Sequence, residues 1–486
     1  MQDTNITSSP ENISNDEERE NQKEYIKKAS ILLKTYENMT GHKATACVTT
    51  FGCQMNARDS EKLLGILLEI GFEESEDENA DFVLYNTCTV RDNANKRVYG
   101  RLGTLLGMKK RNPHKIIALC GCMMQEQTVI DKICESYNKV NLIFGTHNIF
   151  KFPELLCYVL ENIINDKNGI VIDIWKETDK IVENLPVKRK YSFKSGINIM
   201  FGCNNFCTYC IVPYVRGRER SRTSDEIVAE IENLVKDGVV EVMLLGQNVN
   251  SYGKGLEENI TFAKLLQKIE KIEGLKRIRF MTSHPKDLSD ELIEVMKNSE
   301  KICRHLHLPA QSGSTKILQA MNRRYTRESY IALVKKLREA IPDLALTTDL
   351  IIGFPGETME DIKETASLVD EVGYDNAFTF IYSRRTGTPA ASMPQLLSEE
   401  EIQTGFNMVL ERVQENARKK IAGHEGEITE VLVEEINAQD KDFVTGRMSN
   451  NTLVHFKGEE SLIGKLVNVK LTENKGFYYI GEKYDA

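Results

Sequence analysis

The sequence predicts an α/β chain in three parts: an N-terminal parallel α/β domain, a partial (β/α)6 barrel, and a small OB-like β-barrel at the C-terminus. Three observations carry this. In the first part apolar runs alternate with helical stretches, the pattern of a parallel layer. From residue 197 to 382 strand-like runs and amphipathic helices alternate six times, as in an incomplete (β/α) barrel. The last part changes to five short alternating β runs separated by turns.

Length and composition set the frame. At 486 residues, 41% hydrophobic and 28% charged, the chain has the make-up of an ordinary globular protein with room for roughly three domains. Its net charge of -9 gives no global attraction to nucleic acid, so any such binding needs local basic patches. No apolar run reaches the ~18 residues of a membrane helix, and the start lacks the apolar stretch of a secretion signal. Residues 1–42 are polar and are expected to be a disordered extension running into a solvated helix, Tyr25 to Tyr36. Eleven cysteines, an odd number with no sign of export, argue against a disulfide framework and for a reducing, cytoplasmic setting.

Residues 43–160 form the first predicted domain. Its strand Ala44–Phe51 runs into Gly52-Cys53, Asp81–Tyr85 runs into Asn86-Thr87-Cys88, and Lys115–Leu119 runs into Cys120-Gly121-Cys122. Ligands of open parallel sheets bind beyond the carboxyl ends of strands, so Cys53, Cys88 and Cys122 are expected at one edge. One such cysteine would pass as a small buried hydrophobe; three in the same topological position predict a three-thiolate site. Cys47, Cys120, Cys134, Cys157 and Cys303 are read as core or free thiols, with Cys120 as a competitor of Cys122. A helix-rich stretch, Phe152 to Asn165, closes this part.

The predicted central domain, residues 189–420, has strands at Ile197–Met200, Val239–Leu245, Arg277–Met281, His305–Leu308, Leu344–Ile352 and Phe378–Tyr382. Helices are expected at Asp225–Asp237, Thr261–Glu273, Asp290–Asn298, Thr326–Ala340 and Met359–Val372, with Ser224 and Thr358 as N-caps. The first strand leads into Met200-Phe201-Gly202-Cys203-Asn204-Asn205-Phe206-Cys207-Thr208-Tyr209-Cys210. Three thiolates on one loop leave a four-iron cubane one ligand short, and an open position marks a working metal site. A zinc knuckle or three free thiols are the alternatives; a zinc site usually brings a second ligand pair.

CxxxCxxC with an aromatic residue, Tyr209, before the last cysteine resembles the signature of radical S-adenosylmethionine (SAM) enzymes, in which the amino and carboxylate groups of SAM occupy the open iron. The other strand ends are then candidates to hold SAM: Gly246, Gln247, Asn248 and Asn250 after the second strand, Ser283 after the third, Asp349 and Ile351 in the fifth. Gly, Pro and Asn also mark ordinary turns. His305 and His307 share a face and are expected to be core. Arg216, Arg218, Arg220, Arg222, Arg323, Arg324, Arg327, Arg384 and Arg385 recur near the mouth, as a solvated face or as contacts for RNA phosphates.

In the last part, residues 423–486, strands are expected at Glu430–Val433, Phe443–Gly446, Leu453–Phe456, Leu466–Leu471 and Phe477–Ile480. Arg447, Asn450, Asn451, Lys465 and Lys475 are candidate RNA contacts there, although composition alone does not separate RNA binding from protein binding.

The order of scattered cysteines, CxxxCxxC barrel and small β-barrel resembles the radical SAM methylthiotransferase family from about Lys43 onward. Thr50-Phe51-Gly52-Cys53-Gln54-Met55-Asn56 and Asn86-Thr87-Cys88-Thr89-Val90-Arg91-Asp92-Asn93-Ala94 are most similar to the tRNA-2-methylthio-N6-dimethylallyladenosine synthases within it. The subgroups acting on threonylcarbamoyladenosine or on a ribosomal-protein aspartate carry other residues after the first cysteine. The resemblance implies that Cys203, Cys207 and Cys210 hold a [4Fe-4S] cluster that cleaves SAM. It implies an auxiliary [4Fe-4S] cluster on Cys53, Cys88 and Cys122, and SAM as both methyl donor and radical source. The implied substrate is tRNA carrying isopentenyladenosine at position 37, modified at carbon 2, and the last barrel is implied to be a TRAM domain that binds RNA. An electron donor such as flavodoxin or ferredoxin, a sulfur source and a monomeric state complete the expectation. The extension before Lys43 departs from a minimal family member.

Overall fold

A computed structural model describes residues 4–5, 13–89 and 92–484. The fold divides into two compact units: one of residues 1–190, 201–204 and 211–222, the other of residues 191–200, 205–210 and 223–486.

The first unit is built on an all-parallel sheet. Its strands lie in the order Thr4–Asn5, Val171–Asp173, Leu142–Phe144, Ile116–Gly121, Phe82–Thr87, Thr45–Thr50 and Glu73–Glu74. Parallel strands are covered on both faces, and here Leu84, Ile116 and Ala118 enter one apolar cluster while Val83, Ile117 and Leu119 enter another. The three predicted strands pair with Thr50 beside Asn86 and Asn86 beside Cys120, so their carboxyl ends finish level. The two- and three-residue strands were not legible in advance.

The helix expected over Tyr25–Tyr36 runs from Asn15 to Thr40, and it is not simply solvated. Ser14 caps it by accepting from the Glu17 N–H, and Gly41, at φ 78°, ends it in the left-handed conformation that glycine tolerates. Ile26, Ala29, Leu33 and Tyr36 form a stripe at helical spacing, buried with Leu155, Leu156 and Leu160 of the helix Phe152–Ile164. Four apolar positions among many charges make a stripe too narrow to stand out in the sequence.

The second unit holds six parallel strands in two sheets: Lys194–Asn198, Glu241–Leu245 and Arg277–Phe280, then His305–His307, Ala345–Ile352 and Asn376–Ile381. A parallel bridge between Ile278 and Ile302 joins the sheets into one arc. This is the predicted partial barrel. Val242, Leu244, Ile278, Leu306, Leu346, Leu350 and Ile352 share one apolar core with Ile227, Leu266, Ile293, Val334 and Ile362 of the surrounding helices. Thr358 caps its helix as expected, with Asp361 closing a capping box. Ser224 does not cap: Thr223 takes that position, and the Ser224 hydroxyl donates to Glu258 instead. The helix Glu399–Ile421, unforeseen in the sequence, buries Val409 and Val413 in the same core.

The C-terminal strands Ile428–Ile436, Phe443–Met448, Leu453–Lys457, Tyr478–Lys483 and Leu466–Asn474 close into a barrel in that order around Val431, Val444, Phe456 and Val469. It is fastened to the amino ends of the core strands. Arg277 donates to the Arg447 and Glu430 carbonyls at 2.7 and 2.9 Å. Arg279 donates to the Met448 carbonyl at 2.8 Å and the Ser449 carbonyl at 3.2 Å while its Nε holds Glu241 at 2.9 Å. Lys194 pairs with Glu434 at 2.8 Å. The carboxyl ends of the strands, where barrel chemistry resides, are left at the other end. Among the described residues no helix is long and apolar enough to cross a membrane.

Candidate metal centres and barrel mouth

In the first unit the cysteine-bearing edge is organised by Asn56. Cys53 sits at the N-cap position of the helix Gln54–Ile70, exposed, its thiol 3.5 Å from Asn56 Oδ1. The wholly buried Asn56 amide donates to Asn86 Oδ1 and the Thr87 carbonyl at 3.1 and 2.8 Å, tying the turn after one strand to the end of the next. Gly121, at φ 95°, lets Cys122 turn back over that edge; a Cβ there would lie 2.4 Å from the Thr87 carbonyl oxygen.

Arg216 completes this edge. Its Nη2 donates to Asn56 Oδ1 at 2.7 Å and to Asp59 Oδ2 at 3.1 Å, and the guanidinium lies near enough to the Cys122 thiol to act on its charge. Burial pushes that thiol up to about 11; Arg216 opposes the shift, and the Cys88 and Cys53 thiols stand close enough to add to it. Cys53, Cys88 and Cys122 thus stand at one edge, after the level ends of three neighbouring strands, with Ile211 and Val215 packed against Cys122. Cys120 does not join them: its side chain lies in the apolar core with Leu84 and Ala118. Among the described residues no three Cys, His, Asp or Glu side chains are gathered tightly enough for a single metal ion. A four-iron cluster is wider than an ion and takes one thiolate at each iron, and a guanidinium at the thiolates offsets the charge such a group brings. Soft thiols, two of them buried, and a cation fit a cubane.

The CxxxCxxC loop is fixed mostly through its backbone. Gly202 has φ 73°, and a Cβ there would sit 2.0 Å from the Arg218 carbonyl oxygen, so only glycine passes. The Cys203 N–H donates to the Gly217 carbonyl at 3.1 Å, and Asn204 and Glu219 exchange two hydrogen bonds. Further on, the Cys210 N–H donates to the Cys207 carbonyl, and Thr208 donates to the Met321 and Ala320 carbonyls at 3.1 and 2.8 Å. Asn322 holds the Asn205 and Phe206 carbonyls. Arg323, fully enclosed, points Nη1 at Cys207 Sγ (3.4 Å) while Nη2 is anchored on the Pro309 carbonyl (3.0 Å). Each cysteine set thus meets a buried arginine, and this half of the loop is preorganised for a thiolate-bound cluster.

The residues expected to hold SAM divide into two kinds. Asn248 is committed to the fold, its Oδ1 accepting from the His284 N–H and its Nδ2 donating to Asp287. Gly246 packs on Met200, which leaves no room for a side chain. Gln247 is half-buried. Asn250 Oδ1 and Ser283 Oγ, by contrast, are buried without a partner among the described residues, a cost that a polar ligand would relieve. They lie past the second and third strands. Asp349 meets His307 Nε2 at 3.4 Å, and Ile351 packs with Tyr209 on the cluster of Ile317, Met321, Phe354 and Ala390.

The arginines are the main correction. Arg216, Arg222 and Arg323 are buried, Arg220 donates to the Thr178 carbonyl, and Arg327 is held by the Gly313 and Glu364 carbonyls. These are internal braces; of the predicted phosphate contacts, Arg218, Arg324 and Arg384 are the exposed ones. In the last barrel Arg447 is spent on Asn451 and Glu434, and its carbonyl docks Arg277, while Asn450 caps the turn at Thr452. His305 and His307 share the Thr347 hydroxyl at 3.0 Å each, and burial lowers His305 to about 3. The thiol-binding arginines escaped sequence reading because an arginine run looks solvated; Arg216 following Val215 inside a short apolar stretch was the available signal.

Three family models match the chain: the radical SAM superfamily over residues 197–369, uncharacterized protein family UPF0004 over residues 45–145, and the TRAM domain over residues 424–483. A tRNA-2-methylthio-N(6)-dimethylallyladenosine synthase of Lachnoclostridium phytofermentans is 62% identical over 442 residues, 91% of this chain and 96% of its own length. One from Clostridium perfringens is 52% identical over 90% of this chain and 98% of its own. One from a Thermoanaerobacter species is 50% identical over 95% and 97%. Among solved structures, the radical SAM methyltransferase TsrM of Kitasatospora setae aligns over 72% of this chain and 74% of its own at 13% identity, with a TM-score of 0.49.

Proposed function

Because the chain belongs to the family of tRNA-2-methylthio-N(6)-dimethylallyladenosine synthases, we infer that it is a radical SAM enzyme of tRNA modification. It transfers a methylthio group to carbon 2 of N6-isopentenyladenosine at tRNA position 37, giving 2-methylthio-N6-isopentenyladenosine. The observation that carries this is 62% identity to a synthase of that name along 91% of the chain.

The finer assignment rests on the two thiol sets. Cys203, Cys207 and Cys210 would hold the SAM-cleaving [4Fe-4S] cluster, and Cys53, Cys88 and Cys122 a second, auxiliary one. With both bound, the chemistry supplied is reductive cleavage of SAM at the first and delivery of sulfur at the second. The protein's own part is positional. Arg323 and Arg216 would place a positive charge at each set, and the loop's backbone bonds would keep its thiolates from rearranging when SAM binds. Asn250 and Ser283 would receive polar groups of SAM; Gln247 after the second strand and Asp349 and Ile351 in the fifth would line the site, and Gly246 and Asn248 would act by shaping it. Working units at residues 43–160, 189–420 and 423–486 follow, with the helix Asn15–Thr40 packed as part of the first. A flavodoxin- or ferredoxin-type donor, a sulfur source, action as a monomer and a cytoplasmic setting complete this reading.

Mass spectrometry of tRNA nucleosides from cells lacking the chain tests the function. N6-isopentenyladenosine should accumulate at the expense of its 2-methylthio form. Persistence of the methylthio nucleoside, with no other enzyme able to make it, would overturn the assignment.

A further inference from the structure

The fourth, fifth and sixth core strands pair in register: His307 with Thr347, Asp349 with Phe378, Ile351 with Phe380. Side chains alternate between the faces of a strand, so residues level in register share a face. Leu306, Leu346, Leu350 and Ile352 occupy one face and are buried beneath the helices. His307, Thr347, Asp349, Ile351, Phe378 and Phe380 therefore occupy the other, which looks into the barrel. In a filled barrel this face is packed. Here Phe378 and Phe380 are 50% and 43% exposed, two rings one pleat apart.

The rings are placed rather than left over. The His307 ring meets Phe378 edge-on, centroids 6.1 Å apart, and is itself fixed by Thr347 Oγ1 at 3.0 Å and Asp349 Oδ2 at 3.4 Å. Beside Phe380, Ile351 packs on the apolar cluster of Ile317, Met321, Phe354 and Ala390, against which Tyr209, the residue before Cys210, also packs. One apolar cluster thus links the aromatic face to the cysteine loop. The sixth strand is an edge, with no pairing on its far side among the described residues, so the face opens laterally.

We propose that Phe378 and Phe380 are the receptor for the base that is modified: Phe378 stacks on the adenine and Phe380 packs on its isopentenyl group. This rests on the functional reading above and deepens it. A base taken out of its stack is held between aromatic side chains, and a branched five-carbon chain asks for an apolar wall. The occupant is neutral, which suits a face on which the Asp349 carboxylate is engaged by His307. His307 is a positioning residue that fixes the Phe378 ring.

The test uses the reconstituted full-length chain and two anticodon stem-loop RNAs, identical except that one carries N6-isopentenyladenosine and the other adenosine. Phe378→Ala should raise KM for the prenylated RNA about 5- to 150-fold, the range of a lost base–aromatic stack, while Phe378→Tyr stays within about threefold. Phe380→Ala should cut the preference for prenylated over plain RNA, measured by binding, about tenfold. Should an alanine variant melt early, Phe378→Leu keeps the apolar volume without the π face and should show the same KM rise. Unchanged KM and preference in all variants, with wild type active, overturn this inference alone. A wild-type chain inactive on prenylated RNA overturns the functional reading and this one with it.

Discussion

Arg216→Met should unfold the first unit more easily, by an amount that the surroundings of Asp59 set. Asp59 is 3% exposed, and Arg216 is its ion-pair partner at 3.1 Å. Methionine keeps most of the side-chain length but leaves a carboxylate buried without a counter-charge and Asn56 Oδ1 without its guanidinium donor. Breaking one side of a buried pair costs about 3–5 kcal/mol. For a unit of this size each kcal/mol moves the melting temperature by about 2–4 °C, so a fall of about 6–20 °C is expected. The assay is an anaerobic melt of the cluster-free chain, with hydrogen exchange of Phe82–Thr87 identifying the unit that opens. Asp59→Asn in the same background removes the stranded charge and should restore most of the loss, since uncharged replacements of a buried pair are often neutral. A shift below about 2 °C for Arg216→Met, or no recovery in the double variant, would refute this account of the edge.

Three further outcomes follow from the same reasoning. Arg279→Ala strands the buried Glu241 and frees the Met448 and Ser449 carbonyls; it should cost about 3–5 kcal/mol and raise hydrogen exchange in Phe443–Met448 above that in the rest of the small barrel. Glu357 is buried, with Oε2 accepting from the Gly353 and Phe354 N–H groups at 2.5 and 3.2 Å, and burial pushes its carboxyl up to about 8 from 4.5. The folded state then holds a proton that the unfolded chain releases, so stability present below pH 4.5 is lost as pH rises toward 8. Glu357→Gln should flatten that decline, by a few kcal/mol at the upper end; parallel pH–stability curves would contradict it. Cys203→Ala should abolish 5′-deoxyadenosine formation, whereas Cys53→Ala should keep some cleavage and lose the methylthio product. Iron content should be about eight per wild-type chain and about four in a variant lacking one site; equal loss of cleavage in both folded variants would contradict the division of labour.

The architecture was legible where periodicity is strong. Asp290–Asn298 and Met359–Val372 fall at the expected bounds because capping residues and apolar stripes coincide there. The level ends of the strands that precede Cys53, Cys88 and Cys122 could be read from three runs ending alike. What stayed hidden depends on contacts distant in sequence. Leu142–Phe144 is a three-residue strand whose identity comes from its neighbours. Arg216 lies 157 positions from Asp59, and Arg323 is 116 from Cys207, so their commitment to the thiol sets has no local signature. Asn248 shows that one signal can have two uses: its amide suggested a ligand group, and in the fold its Oδ1 accepts from the His284 N–H while its Nδ2 donates to Asp287. Phe378 and Phe380 read as one more apolar strand until register put them opposite the helix-covered face.

The most direct test is a single reaction: the reconstituted chain, SAM, a reductant and stem-loop RNA carrying N6-isopentenyladenosine, with nucleosides analysed by mass spectrometry. The account predicts 2-methylthio-N6-isopentenyladenosine from this RNA and none from one carrying threonylcarbamoyladenosine. Methylthiolation of the threonylcarbamoyl RNA alone would contradict it.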